Sequence, residues 1–128
     1  MNDVAMPAPG KERSAITGRA IRVATVAIGD YCTGAAALIN SLAWCGFASE
    51  VFVGHVGPLD WRLAPESSVT PIELHPRRAR HATNLKAQLL EAVGDGDVCY
   101  IDADCIALSP RLMEIVEEFL GFGAFFTV

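Results

Sequence analysis

Short apolar blocks alternate along the chain with polar breaks that carry glycine or proline, and the spacing of apolar residues inside each block predicts its elements. "IRVATVAIG" (21–29) is an unbroken run rich in β-branched residues that ends on Gly29, the form of a strand buried on both faces. "TGAAALINSLAWCGF" (33–47) sets Ala35, Leu38, Leu42 and Cys45 at helical steps, with Gly46 as the stop. "EVFVGHVG" (50–57) predicts a second buried strand ending in glycines. Strand, helix and strand in succession form a βαβ unit, which implies a parallel sheet with a right-handed crossover. Pro58, Pro65, Pro71 and Pro76 then break the pattern around "VTPIEL" (69–74), a short third strand. "ATNLKAQLLEAV" (82–93) resumes helical spacing through Leu85, Leu89, Leu90 and Val93, with Thr83 or Asn84 as N-cap. "GDGD" (94–97) is the turn out of it, and "VCYI" (98–101) the next strand. "SPRLMEIVEEFL" (109–120) opens with a Ser cap and Pro110 at the first helical position, and "GAFFTV" (123–128) begins one more strand. The expected fold is α/β: a mainly parallel, Rossmann-like sheet flanked by helices over 21–128, preceded by a flexible tail over 1–20.

Composition narrows the setting. At 128 residues, 52% hydrophobic and 20% charged, the chain can bury a core and is too apolar for disorder. Its net charge of −5 argues against general nucleic-acid or anionic-membrane binding, whose footprint is basic. Cys32, Cys45, Cys99 and Cys105 lack C-x-x-C spacing, and three sit in apolar runs, so reduced structural thiols are expected. The first 20 residues have no apolar signal-peptide core, and a cytoplasmic protein is expected. The uncharged stretch 31–49 approaches membrane-spanning length. Thr33, Gly34, Asn40, Ser41 and Gly46 interrupt it, however, and Asp30 and Glu50 bracket it, which favours a buried helix over a transmembrane segment.

The candidate chemistry lies in "DVCYIDADCIAL" (97–108), where an apolar strand runs into Asp102 and Asp104. In an open α/β sheet ligands bind beyond the carboxyl ends of the strands, where strand order reverses. Were the strand extended through 104, the two carboxylates would share one side and converge. Close carboxylates need a cation between them, and hard oxygen donors suit Mg²⁺ or Mn²⁺. The competing reading is that the strand ends at Ile101 and the aspartates solvate a turn or cap the next helix. An EF-hand is excluded, because a loop starting at Asp95 has Tyr100 where its central glycine belongs and Ile106 where its last glutamate belongs. A haloacid dehalogenase-type phosphatase also sets D-x-D after an apolar strand, but early in the chain and followed by threonine.

"CYIDADCIAL" resembles the nucleotide-binding half of a GT-A glycosyltransferase, closest to the family 8, glycogenin-like and galactosyltransferase-like enzymes. Lys86 in "TNLKAQLLEAVGDGDVCYIDAD" matches that family's phosphate- or sugar-contacting lysine, and "VATVAIGDYCTGAAALINSL" matches its first strand and helix. The resemblance implies a UDP-sugar as donor and Mn²⁺ or Mg²⁺ as cofactor. It implies that Asp102 approaches ribose and metal, that Ala103 offers backbone contacts, that Asp104 ligates the metal and that Tyr31 stacks on uracil. Val26 and Ala27 stand where the family has hydroxyl-bearing base contacts and Ile28 where Asn is common, which leaves Thr25 as the nearby hydroxyl. The resemblance covers 21–128 and implies a domain truncated before the acceptor-binding half, with self-association or a partner at the exposed edge of "GAFFTV". A non-catalytic remnant that keeps the nucleotide-binding scaffold is the alternative. His55, His75 and His81 are expected as surface or loop residues, and "HPRRARH" (75–81) as a solvated loop.

Overall fold

The computed structural model describes residues 21–76 and 82–121. The expected tail over 1–20, the arginines of 77–81 and the expected strand "GAFFTV" lie outside the described residues. Four strands form one parallel sheet: β1 (Arg22–Ala27), β2 (Val51–His55), β3 (Val69–Glu73) and β4 (Val98–Tyr100), in the order β3-β2-β1-β4. Helices α1 (Tyr31–Trp44), α2 (Ala82–Val93) and α3 (Leu112–Gly121) complete the α/β arrangement, that of a Rossmann-like half domain. No helix among the described residues is long and apolar enough to cross a membrane.

β1 is the inner strand whose composition dictates the layers. It pairs with β2 on one side, Val23 opposite Val51, and with β4 on the other, Val23 opposite Cys99. Its side chains alternate between two cores, as a strand buried on both faces requires. Val23 and Ala27 join Leu38, Ile39 and Leu42 of α1 with Val51 and Val53. Ala24 joins Leu85, Leu89 and Val93 of α2 with Leu74, and Val26, Phe52, Val98 and Tyr100 pack around them. Gly54 of β2 makes room on that second face, since a Cβ there would lie 2.7 Å from Leu74 Cδ1 and crowd Leu89.

The ends of the elements follow from local chemistry. Gly46 (φ +87°) ends α1 in a Schellman motif, with the Phe47 N–H bonded to the Leu42 carbonyl and the Gly46 N–H to that of Ala43. The Ser109 hydroxyl accepts the Arg111 N–H, but α3 begins at Leu112, so Pro110 lies in the turn ahead of the helix and not at its first position. α2 begins at Ala82, so Thr83 and Asn84 are inside the helix and not its cap; the capping position falls on residue 81, outside the described residues. Residues 56–68 carry β2 to β3 without a helix. The Asn40 side chain supports this irregular crossover, donating to the Arg62 carbonyl (3.1 Å) and accepting from the Ala64 N–H (2.7 Å). Its backbone groups thereby gain partners that a helix would have supplied.

Pro71 lies in β3 at the edge of the sheet. Val51 donates to the Ser68 carbonyl and Leu74 donates to the His55 carbonyl, so the even-numbered residues of this segment turn their backbone groups toward β2. Pro71 falls on the outward set, where its missing N–H costs no ladder bond.

Arg22 closes the other end of the sheet. Its guanidinium donates to the carbonyls of Val93 (3.2 Å) and Asp95 (2.6 Å) and lies 5.5 Å from the centroid of the Phe52 ring. One cation thus satisfies a carbonyl orphaned at the C-terminus of α2 and holds the turn that leads into β4. Arg22→Met keeps the aliphatic stem and deletes both bonds; a loss of about 1–2 kcal/mol is expected, read as a lower urea midpoint at unchanged slope.

Candidate functional site

The strand order reverses at β1, whose second neighbour is the edge strand β4, far from it in sequence. Both strands end at the same edge. The Ile101 N–H still donates to the Ala24 carbonyl (3.0 Å), and the chain then leaves the sheet in a turn closed by the Cys105 N–H on the Asp102 carbonyl (3.1 Å). The aspartates are therefore carried by a β-turn and not by an extended strand. The period-two argument for their convergence does not hold, because alternation ends where the ladder ends. Asp102 and Asp104 are both exposed, while Ala103 between them is buried.

Gly34 explains why Ala103 is buried. It lies in the first turn of α1, and a Cβ on it would overlap the Ala103 carbonyl oxygen. Helix and turn therefore meet backbone to backbone, which a glycine alone allows. Farther along, the Ser41 hydroxyl accepts the Ala107 N–H (2.8 Å) and pins the rest of the segment to the same helix. Tyr31, at the start of the same helix, is 61% exposed.

From the opposite face of the sheet, α2 contributes Lys86. Its Nζ donates to Asp102 Oδ1 at 3.0 Å and stands 4.8 Å from the centroid of the Tyr100 ring. Gln88 helps fix the helix by clamping the backbone of His75, accepting from its N–H and donating to its carbonyl, each at 3.1 Å. The Lys86 and Asp102 side chains are 43% and 55% exposed, so the pair is worth only about 0.2–1 kcal/mol. Its significance is positional: the lysine of one helix meets the turn that the other helix holds.

Tyr100 is the member of the site that sequence reading missed, having been taken as part of an apolar strand. Its phenol is pushed well above its ordinary pKa of 10.0, first by burial and then by the Asp102 carboxylate through charge and hydrogen bonding, with a smaller contribution from Asp104; a backbone contact from Val26 works the other way. Strand alternation puts residue 100 on the α2 face, and that parity was the available signal. The Cys105 thiol is raised by desolvation and by the charges of Asp104 and Asp102, and Cys99 by burial, which keeps both protonated rather than nucleophilic. All four cysteines are free.

The remaining expected positions sit deeper. Thr25 and Ala27 are fully buried in β1, and the Thr25 hydroxyl has no hydrogen-bond partner among the described residues. Thr25 is thus a core residue beneath the site and not an accessible hydroxyl. Val26 packs half-buried on the α2 face beside Tyr100. His55 is engaged locally, with Nδ1 2.7 Å from the Gly57 carbonyl. Among the described residues no group of three or more His, Cys, Asp or Glu is placed to hold a metal. Two exposed carboxylates fit Mg²⁺ or Mn²⁺ in the mode in which a substrate's phosphates and water complete the shell. A shallow depression lined by Ile39, Leu42, Phe47 and Ser67 lies at the other end of the sheet and bears on none of these groups.

The fold and the position of the site define a Rossmann-like α/β half domain with a carboxylate-bearing turn after β4 that a lysine of α2 reaches. No family model and no curated protein matches the chain. The functional argument therefore rests on the residues themselves.

Two expectations follow from this geometry. Glycine to alanine inside a helix ordinarily stabilises by about 0.5–1 kcal/mol. At Gly34 the sign reverses, with a loss of about 1–3 kcal/mol from the overlap with Ala103, measurable by urea denaturation. The raised Tyr100 pKa means that the unfolded state ionises first. Its contribution to stability is complete below pH 10.0 and is lost as pH rises through the higher folded value. Tyr100→Phe should therefore show a shallower fall in stability above that pH than the native chain.

Proposed function

We propose that this chain binds a nucleotide-diphospho-sugar as the donor-binding part of a GT-A glycosyltransferase of the family 8 type, with UDP-sugar as the donor class. The observation that carries this reading is the Lys86–Asp102 contact at 3.0 Å at the end of β4. Two positions that the resemblance pairs, a lysine on the helix before the motif and the first aspartate of D-x-D, are neighbours in space. In this reading Asp102 and Asp104 hold Mn²⁺ or Mg²⁺ jointly with the diphosphate, Lys86 binds a phosphate or sugar oxygen, and the exposed ring of Tyr31 offers an apolar face to the base. When bound, the divalent cation stabilises negative charge on the departing diphosphate. The chain's own residues supply orientation: Gly34 keeps the turn against α1, and Tyr100 supports Lys86 and Asp102 from below. Transfer to an acceptor hydroxyl belongs to the proposal only through the resemblance to family 8.

A reading as a binding scaffold without turnover draws on a different observation, the restriction of the described metal donors to two carboxylates. Both readings require nucleotide binding. Calorimetric titration of UDP with and without Mn²⁺ is expected to show metal-dependent binding, and Asp104→Ala to weaken it by at least about tenfold, since even indirect partners of a metal contribute that much. Absence of metal-dependent binding in the native chain would overturn the proposal, and hydrolysis or transfer assays with UDP-sugars separate enzyme from scaffold.

A further inference from the structure

We propose that Lys86 is the resident counter-cation of the Asp102–Asp104 turn, and that a divalent cation enters only together with a diphosphate that draws the lysine away. The inference rests on the nucleotide-binding reading above. Lys86 Nζ already occupies Oδ1 of Asp102 at 3.0 Å, one of the few hard oxygen donors of the site. It is held there from a second direction by the Tyr100 ring, 4.8 Å from the ring centroid to Nζ. A metal ion ligated by the same carboxylate would stand within a few ångströms of the ammonium, and like charges that close repel. Charge balance points the same way. Two carboxylates and one ammonium leave the turn with a single negative charge, a divalent ion alone would invert it, and the ion together with the two charges of a nucleotide-sugar diphosphate restores it.

The lysine is built for such an exchange. Its ammonium is a point charge on a flexible four-carbon stem, able to trade a carboxylate for a phosphate oxygen by torsion alone, with no movement of α2. The side chain is 43% exposed, so solvent does not have to be expelled for it to turn. Lys86 thus has two roles in sequence: it suppresses binding of the bare metal and then binds the phosphate that arrives with it.

The test is Mn²⁺ binding followed by loss of the free-ion electron paramagnetic resonance signal, with and without UDP, for the native chain, Lys86→Met and Lys86→Arg, each checked for an unchanged urea midpoint. Mn²⁺ alone is expected to bind Lys86→Met about three- to tenfold more tightly than the native chain, with Lys86→Arg remaining native-like. The tightening that UDP confers on Mn²⁺ should be smaller in Lys86→Met. Equal or weaker binding of bare Mn²⁺ by Lys86→Met, with the native chain still taking up Mn²⁺ with UDP, overturns the exchange and leaves the nucleotide site standing. Failure of the native chain to bind Mn²⁺ with UDP overturns both.

Discussion

The structure depends on covering β1. This strand is hydrogen-bonded on both sides and has side chains buried on both faces, with Val23, Ala24, Thr25 and Ala27 inaccessible to solvent. A parallel strand in that position needs an apolar layer above and below it. The chain meets the requirement with helices on opposite faces: α1 over Val23 and Ala27, α2 over Ala24. The segment that follows β4 returns to the α1 face, where Ala103 and Ala107 join the same core as Val23 and Ala27, while Lys86 reaches its aspartate from α2 on the other face.

The turn over 102–105 is consequently held from two directions by different means. α1 grips it through backbone contact at Gly34 and, beyond it, the Ser41 hydroxyl on Ala107. α2 reaches it through a charge on a long side chain. The first grip is rigid because carbonyl and helix backbone leave no room to shift. The second is soft, because an exposed ion pair contributes little and its lysine has several torsions. A fixed carboxylate platform facing a movable cation is a suitable arrangement for receiving a charged ligand.

Much of the fold was legible in the sequence, and the reasons are local. β-Branched runs ending in glycine marked β1 and β2, helical spacing marked all of α2, and even the proline-containing β3 was readable as "VTPIEL". Each depends on near neighbours in the chain. The site was legible as a set of residues but not in its geometry. Lys86 and Asp102 were paired by the resemblance, and they meet; the convergence of Asp102 and Asp104 was inferred from strand alternation, and the strand stops at Tyr100, four residues short of Asp104. Thr25 read as an accessible hydroxyl because its residue type, and not its place in the middle of an inner strand, governed the reading. Tyr100 was overlooked because an aromatic residue in an apolar run reads as core. Its strand parity, which turns residue 100 toward α2, and its place two residues before Asp102 were the signals that set its ring beside Lys86.

Pro71 has a consequence for how this sheet can grow. On the β3 side the outward-facing positions are Val69, Pro71 and Glu73, and the one in the middle cannot donate. A strand approaching that side finds an interrupted ladder with a carboxylate beside the gap, a combination that discourages edge-to-edge joining. The sheet is therefore polarised across its width. The β3 margin is the less receptive one, and the opposite margin, formed by the three residues of β4, is the one that borders the aspartate turn.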